Sequence, residues 1–330
     1  AATMNRPFAS ISAGHLPHRE CATLTEAGEP SSPNQSEMYT RVLLDGRTLA
    51  YQCYGCPTGR PLYFFHGFPG SRLQAKLVHE QAATAGVCLI APDRPGFGRS
   101  TYAPDRTILS WADDVAQLAD ALGHGHFSVL GVSCGGPYAL ACAHRLAKRL
   151  DYVGLVAGIG PMDVPSIRRE QMRVLRLLFS LARIHPVLVA PFLFADRRLF
   201  RGDAKRAVQM LARMLTPPDR KLLATDTHLR TRFGASLAEA YVQGIAGAIR
   251  EVQLIAGPRG FLLEHITCPV HLYQSGQDRH VPPAMGRYMA ERIPNARLRI
   301  YPEEGHLSVL VHRFGDCLRD FLAACTNALA

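Results

Sequence analysis

The run Val129-Leu-Gly131-Val-Ser133-Cys134-Gly135-Gly-Pro-Tyr138 decides how the rest of the chain is interpreted. The apolar residues at its start predict a buried strand, and a helical pattern follows directly after Gly135. A serine between two glycines at such a turn is typical of a nucleophile elbow, where the backbone is strained and the hydroxyl points outward. The run therefore predicts Ser133 as a nucleophile.

Composition and size set the broad class of the protein. The chain has 330 residues, of which 47% are hydrophobic and 19% charged, which suits one large α/β domain with an insertion or else two domains. Its nine cysteines have no regular spacing, a pattern typical of reduced thiols in a cytoplasmic protein. No apolar run reaches the roughly 18 residues of a membrane-spanning helix, so we expect no transmembrane segment.

Residues 1–36 differ in composition from the rest of the chain. They are rich in Ser, Pro, Ala and His and lack the apolar core of a secretory signal, which predicts a flexible tail. Arg6 and Arg19 occur there without an acidic residue before Glu20. An organelle transit peptide is therefore the alternative to a cytoplasmic location.

Strand-like and helix-like segments alternate from Tyr39 to Ala157, which predicts a mostly parallel sheet with helices on both faces. The Asp45-Gly46 pair predicts a hairpin between the first two strands. Helices are expected over residues 71–85 and from Ser110, where Ser110-Trp-Ala-Asp113 resembles a capping box.

The alternation stops after Gly158, and the next hundred residues contain only helical patterns, including one over residues 237–254. Strands return at 269–273 and 297–301, and a last helix is expected over 307–324. We therefore predict an α/β core formed by residues 37–160 and 259–330, with a helical cap inserted at 161–258.

The net charge of +10 is concentrated in one part of the chain. Residues 168–232 contain 15 Lys and Arg against five Asp and Glu, so the remainder is neutral. This excess indicates either a solvated helical face or a surface that attracts acidic substrates, a membrane or nucleic acid. No aromatic or glycine-rich nucleic-acid signature accompanies it, so no nucleic-acid partner is expected. We expect the arginines to favour acidic or amphiphilic substrates.

A serine hydroxyl needs a base to remove its proton, and the base needs an acid to fix its tautomer and stabilise its charge. Asp278 follows the strand at 269–273, and His306 follows the strand at 297–301. The order Ser133, Asp278, His306 is the one expected for this type of sheet. We therefore predict His306 as the base and Asp278 as the acid.

The oxyanion of a tetrahedral intermediate needs backbone N–H donors. We predict two, from Cys134 after the nucleophile and from Phe68 in the glycine-rich loop that follows the strand at 61–65. His66 is expected to hold this loop, and the loop at 93–100 to form a wall of the pocket.

Other assignments of the same residues remain open at this point. Ser133 could be a buried structural serine, since Gly-x-Ser-x-Gly also arises by chance. His280 is the rival base, and Asp163 is the rival acid because it also follows a strand. Cys134 is not expected to be the nucleophile, because Ser133 occupies the centre of the elbow pattern.

Five motifs in order resemble an esterase-like branch of the α/β-hydrolases, from about Tyr39 to Ala324. They are His66-Gly-Phe-Pro-Gly-Ser-Arg72, Asp93-Arg-Pro-Gly-Phe-Gly-Arg-Ser100, Gly131-Val-Ser-Cys-Gly-Gly-Pro-Tyr-Ala-Leu140, Val281-Pro-Pro283 and Gly305-His-Leu-Ser308. The resemblance implies a triad of Ser133, His306 and Asp278, with Phe68 and Cys134 as oxyanion donors. Two positions depart from the branch, because Cys134 and Ser275 stand where it usually has glycine.

The expected function is that of a serine hydrolase that cleaves carboxylic esters of a small or amphiphilic substrate through an acyl-enzyme, without metal or cofactor. The same triad would serve hydrolysis of a C–C, lactone or amide bond. A protein of a different class, a ligand-binding sensor, could keep the pocket without the chemistry. Substrate and oligomeric state are not readable from the sequence.

Overall fold

A single eight-stranded sheet forms the centre of the computed structural model, which describes residues 37–327. Its strands in chain order are Met38–Val42 (β1), Thr48–Gly55 (β2), Arg60–Phe65 (β3), Val87–Pro92 (β4), Phe127–Val132 (β5), Leu150–Val156 (β6), Val270–Ser275 (β7) and Ala296–Tyr301 (β8). They lie in the order β1-β2-β4-β3-β5-β6-β7-β8. The β1–β2 and β2–β4 pairs are antiparallel and the other pairs are parallel, so the predicted mostly parallel α/β sheet is confirmed.

The helices of the described residues fall into two groups. The helices of the first group pack on the sheet or on another helix that packs on the sheet. They are His79–Thr84 (α1), Ser110–Ala121 (α2), Gly136–Arg145 (α3), Pro283–Arg292 (α10) and Ser308–Asn327 (α11). The second group lies between β6 and β7 and consists of Arg173–Ile184 (α4), Ala190–Gly202 (α5), Ala204–Met214 (α6), Pro217–Thr225 (α7), Thr227–Ala240 (α8) and Ala246–Ala256 (α9). We call α4 to α9 the inter-strand helices.

The sheet forms where the apolar runs of the sequence predict it. Every residue of β4 and β5 is buried, as expected for central strands covered by helices on both faces. The predicted hairpin is also present, and Gly46 adopts a φ of +84° in its turn. Glycine reaches this left-handed region without steric cost, which explains the Asp45-Gly46 pair.

Three local expectations differ from the structure. The helix expected over residues 71–85 begins as a 3₁₀ helix, Arg72–Val78, before α1. The capping box begins at Thr107, three residues before the predicted Ser110. The Thr107 hydroxyl accepts the backbone N–H of Ser110 at 3.0 Å, and the Ser110 hydroxyl accepts the backbone N–H of Thr107 at 2.9 Å. The helical pattern over 237–254 is two helices, α8 and α9, separated by Gly244 at a φ of +108°.

Residues 161–258 contain helices and no strand, in line with the helical pattern of the sequence. Their limits as a separate cap stay a prediction. The proposed tail, residues 1–36, lies outside the described residues. Within residues 37–327, no helix is both long and apolar enough to cross a membrane.

The turn between β5 and α3 packs closely against the end of β3, and Gly135 lies at the contact. A Cβ atom on Gly135 would lie 2.2 Å from the carbonyl oxygen of Phe65, whereas one on Gly125 would meet nothing within 4 Å. We therefore expect Gly135→Ala to lower the free energy of unfolding in urea by about 1–3 kcal/mol or more, because backbone has to move. The control Gly125→Ala should stay within about 0.5 kcal/mol of the parent. Equal stability of the two variants would contradict this packing.

Candidate active site

Ser133 occupies a strained turn between β5 and α3. Its φ of +54° lies in the left-handed region, which non-glycine residues rarely adopt. The chain reverses so tightly that a Cβ atom on Gly131 would lie 2.4 Å from the carbonyl oxygen of Gly135. Both glycines of the motif are therefore required by contact between backbone segments. The turn places Ser133 on the wall of a cavity.

Three residues predicted from the sequence are connected by hydrogen bonds in the structure. His306 Nε2 lies 3.0 Å from Ser133 Oγ, and His306 Nδ1 lies 2.6 Å from Asp278 Oδ2. Asp278 is buried, and its Oδ1 accepts the backbone N–H groups of His280 and Val281 at 2.7 and 2.9 Å. These bonds fix the carboxylate, which in turn fixes the imidazole.

The surroundings of His306 favour its charged form. Burial by itself lowers the pKa of the imidazole, but the charge and hydrogen bond of Asp278, together with the charge of Asp219, outweigh burial and raise the pKa above the ordinary value. A proton taken from Ser133 would therefore be held more firmly on His306 than on a free histidine.

The rival base and the rival acid take other positions. The ring of His280 stacks on that of His306, with centroids 4.9 Å apart and planes at 23°. Burial and the neighbouring charge of His306 lower the pKa of His280 to about 4, so it is neutral at pH 7. The hydrogen bond to Ser133 Oγ comes from His306, and the acid bonded to His306 Nδ1 is Asp278, whereas Asp163 is exposed to solvent.

Cys134 also borders the cavity, next to Ser133. Its side chain is buried, and burial raises the pKa of the thiol to about 12. The thiol therefore stays protonated at neutral pH and is a poor nucleophile. The glycine-to-cysteine departure from the resembled motif thus places an uncharged side chain beside Ser133.

The loop that carries Phe68 is held by His66, as expected. Gly67, Phe68 and Pro69 line the same cavity as Ser133 and Cys134. His66 Nδ1 donates to the carbonyl of Gly67 at 2.8 Å, and His66 Nε2 accepts the backbone N–H of Arg94 at 3.2 Å. Burial, with the charge of Arg94, lowers the pKa of His66 well below its usual range and keeps the ring neutral.

Arg94 supports that loop through a buried ion pair that the sequence analysis missed. Its guanidinium donates to the carbonyls of His66 and Gly67 at 2.5 and 3.1 Å and pairs with Glu251 of α9 at 2.7 Å. The side chains of Arg94 and Glu251 are both 0% exposed. Glu251 also accepts from Arg106 at 2.7 Å. The motif at 93–100 therefore supports the loop, but it does not form the predicted wall, because none of its residues lines this cavity. The partner of Arg94, Glu251, lies 157 residues away in the chain without a local signal.

Asp219 of α7 was also missed, and it holds the backbone that carries His306. Its carboxylate accepts the N–H groups of His306, Leu307 and Ser308 at 2.8, 2.9 and 2.8 Å. These are orphan donors at the start of α11, so Asp219 caps that helix from a distant part of the chain. An inter-strand helix thereby fixes the position of the candidate base.

The cavity has a volume of about 450 Å³ and is mostly apolar. Ser133, His306 and the 67–69 loop line its floor, and α4, α5 and α6 supply many of the remaining side chains. These include Leu175, Leu178, Phe179, Phe192, Met210 and Leu211. A pocket of this size accommodates a small or medium organic molecule with an apolar group beside the serine.

The profile described as alpha/beta hydrolase fold matches residues 60–313. The chain belongs to this family. It is 28% identical over 271 residues to a pimeloyl-[acyl-carrier protein] methyl ester esterase of Neisseria meningitidis, covering 80% of this chain and 93% of that protein. It is 28% identical over 262 residues to a poly(3-hydroxyalkanoate) depolymerase of Ectopseudomonas oleovorans, covering 78% and 81%.

The fold is shared with a thermophilic esterase of Thermogutta terrifontis, with a TM-score of 0.63, 24% identity and coverage of 87% of this chain and 98% of that structure. The family match and the two relatives from Neisseria and Ectopseudomonas together support hydrolase activity.

Among the residues that the structure describes, three side chains at the site have the spacing of metal ligands. Ligand atoms of Asp278, His280 and His306 lie within 4.8 Å of one another. Both ring nitrogens of His306 are within hydrogen-bonding distance of Asp278 or Ser133, and Asp278 is further occupied by two backbone donors. The ring of His306 and the carboxylate of Asp278 are therefore already engaged in hydrogen bonds within the protein.

The capping role of Asp219 predicts a large loss of stability on its removal. Asp219→Ala would leave three N–H groups without their acceptor, two of them on buried residues, and should lower the free energy of unfolding by about 3 kcal/mol. The control Asp203→Ala removes an exposed cap that accepts one N–H, from Arg206 at 2.9 Å, and should cost about 1 kcal/mol. Urea unfolding of both variants measures the difference, and equal losses would refute the assignment.

Proposed function

We propose that this family member is a serine hydrolase acting on carboxylic esters, with Ser133 as nucleophile, His306 as base and Asp278 as acid. The observation that carries the proposal is the hydrogen-bonded chain from Ser133 Oγ through His306 to Asp278 at the floor of an apolar cavity. The buried thiol of Cys134 and the neutral ring of His280 do not compete for these roles.

In the first half of the reaction, His306 Nε2 takes the proton of Ser133 as Oγ attacks the ester carbonyl carbon. Asp278 stabilises the resulting imidazolium, and the N–H groups of Phe68 and Cys134 donate to the oxyanion. The tetrahedral intermediate then collapses, the alkoxide takes the proton from His306, and the alcohol leaves. The acyl group remains on Ser133.

In the second half, His306 accepts a proton from water as the water oxygen attacks the acyl carbonyl. Collapse of the second tetrahedral intermediate breaks the bond to Ser133 Oγ, which regains its proton from His306. The carboxylic acid is released, and the resting hydrogen bonds are restored. No other co-reactant is needed.

The wall of the cavity supports an ester with an apolar acyl or alcohol group. The inter-strand helices α4 to α6 face the reacting serine with Leu, Phe and Met side chains. We propose that residues 161–258 are a cap that shapes this pocket. The names of the two relatives, a methyl ester esterase and a depolymerase of poly(3-hydroxyalkanoate), support an ester as the bond cleaved.

Removing the nucleophile tests the proposal directly. Ser133→Ala should abolish turnover of p-nitrophenyl esters and labelling by a fluorophosphonate, a rate loss of about 10⁴-fold or more. The control Cys134→Ala keeps the hydroxyl and should be labelled and turn over. Loss of labelling in Cys134→Ala with retention in Ser133→Ala would overturn the assignment. If the parent protein bound a ligand but was neither labelled by the fluorophosphonate nor active on esters, the result would favour a sensor.

The raised pKa of His306 predicts the pH dependence of the reaction. His306 must be neutral to accept the serine proton, so kcat/KM should fall as pH falls through the pKa of His306. Because Asp278 raises that pKa, the midpoint of the fall should lie above the ordinary histidine value of about 6.5. Asp278→Asn should lower the rate by about 10⁴-fold and move the midpoint to lower pH. An unmoved midpoint in the variant would contradict the coupling.

A further inference from the structure

Exposed apolar side chains are concentrated on the inter-strand helices. Of the 13 large hydrophobic residues exposed in the described chain, eight lie between residues 177 and 214, and the other five are scattered over residues 38–102 and at 262. Leu177 is 59% exposed, Ile184 75%, Val187 62% and Phe194 55%. A concentration of exposed apolar side chains is typical of an interaction surface.

This surface is continuous with the mouth of the cavity. Phe192, Met210 and Met214 line the cavity and are 45%, 47% and 54% exposed. The cavity therefore opens between α5 and α6, among the exposed apolar side chains. Ser133 lines the same cavity, so this mouth leads to the candidate nucleophile.

The same helices carry an unbalanced positive charge. Residues 173–213 contain nine Lys and Arg against two acids, Asp196 and Asp203. In the described residues, no ion pair joins any of these nine to an acid. The cations are therefore not neutralised by the chain around them.

Apolar and basic residues occupy adjoining faces of the helices. On α6, Arg206 lies four residues before Met210, and Arg213 lies three residues after it, so both flank the exposed methionines. On α4, Arg173 lies four residues before the exposed Leu177, and the exposed Arg183 is next to Ile184 in the sequence. We call the exposed apolar residues of 177–214 and the nine cations around them the apolar-basic face.

We propose that the apolar-basic face docks the protein on an anionic lipid surface, with its apolar side chains in the acyl boundary and its arginines on the headgroups. Amphipathic helices with Arg on one face and Phe or Leu on the other bind membranes in this way. A second copy of the chain is a poor occupant, because two such faces repel each other. Delivery of a lipid-like ester into the cavity rests on the proposed function.

Flotation with two kinds of vesicle tests the docking. The full chain should bind vesicles of phosphatidylcholine with added phosphatidylglycerol about tenfold or more tightly than phosphatidylcholine alone, and high salt should remove the difference. The double variant Ile184→Ser, Phe194→Ser should lose binding by about tenfold or more. The control Leu44→Ser removes a side chain that is 94% exposed on the β1–β2 turn and should bind like the parent.

Two further measurements separate docking from chemistry. Ser133→Ala should still bind the vesicles, so docking is tested even if the ester activity is wrong. The double variant should hydrolyse dissolved p-nitrophenyl butyrate like the parent, because neither side chain lines the cavity, and this also shows that it is folded. Equal affinity for both vesicles, unchanged binding of the double variant, or self-association that covers the face in light scattering would overturn the proposal.

Discussion

The left-handed backbone at Ser133 is the constraint on which the site depends. A residue with a side chain occupies this region only when its neighbours hold it there. At this turn the neighbours are the crowded glycines on either side of Ser133 and the end of β3 beneath them. The parallel order of β5 to β8 then brings the carboxyl ends of three strands to one edge of the sheet. Asp278 and His306 follow two of those strands and reach the serine from there.

The residues that the sequence places correctly are those with local signals. Apolar runs predict the central strands, the Asp45-Gly46 pair predicts its hairpin, and the spacing of turns after strands predicts which serine, acid and histidine meet. The strands and the hairpin depend on residues close in the chain, and the meeting of the three site residues depends on the turns that follow neighbouring parallel strands. The start of α2 shows the limit of such signals, because Thr107 and Ser110 exchange hydrogen bonds and the sequence suggested a later pair.

The residues that sequence analysis missed act over long distances. Asp219 is 87 residues from the backbone that it caps, and Glu251 is 157 residues from Arg94. Neither separation has a periodicity or a motif, and both carboxylates come from helices whose packing is not encoded locally. The concentration of arginines was visible in the sequence, but their position beside exposed apolar residues at a cavity mouth depends on the same packing.

The buried ion pair between Arg94 and Glu251 limits how the helices between β6 and β7 can be exchanged between related proteins. A buried pair is tolerated because each group has a partner, and removing one partner typically costs about 3–5 kcal/mol. A chimera that received foreign helices between β6 and β7 without a carboxylate at the place of Glu251 would leave Arg94 charged and unpaired beneath the loop of Phe68. Transplanting the substrate pocket of this protein therefore requires moving α9 and the motif at 93–100 together.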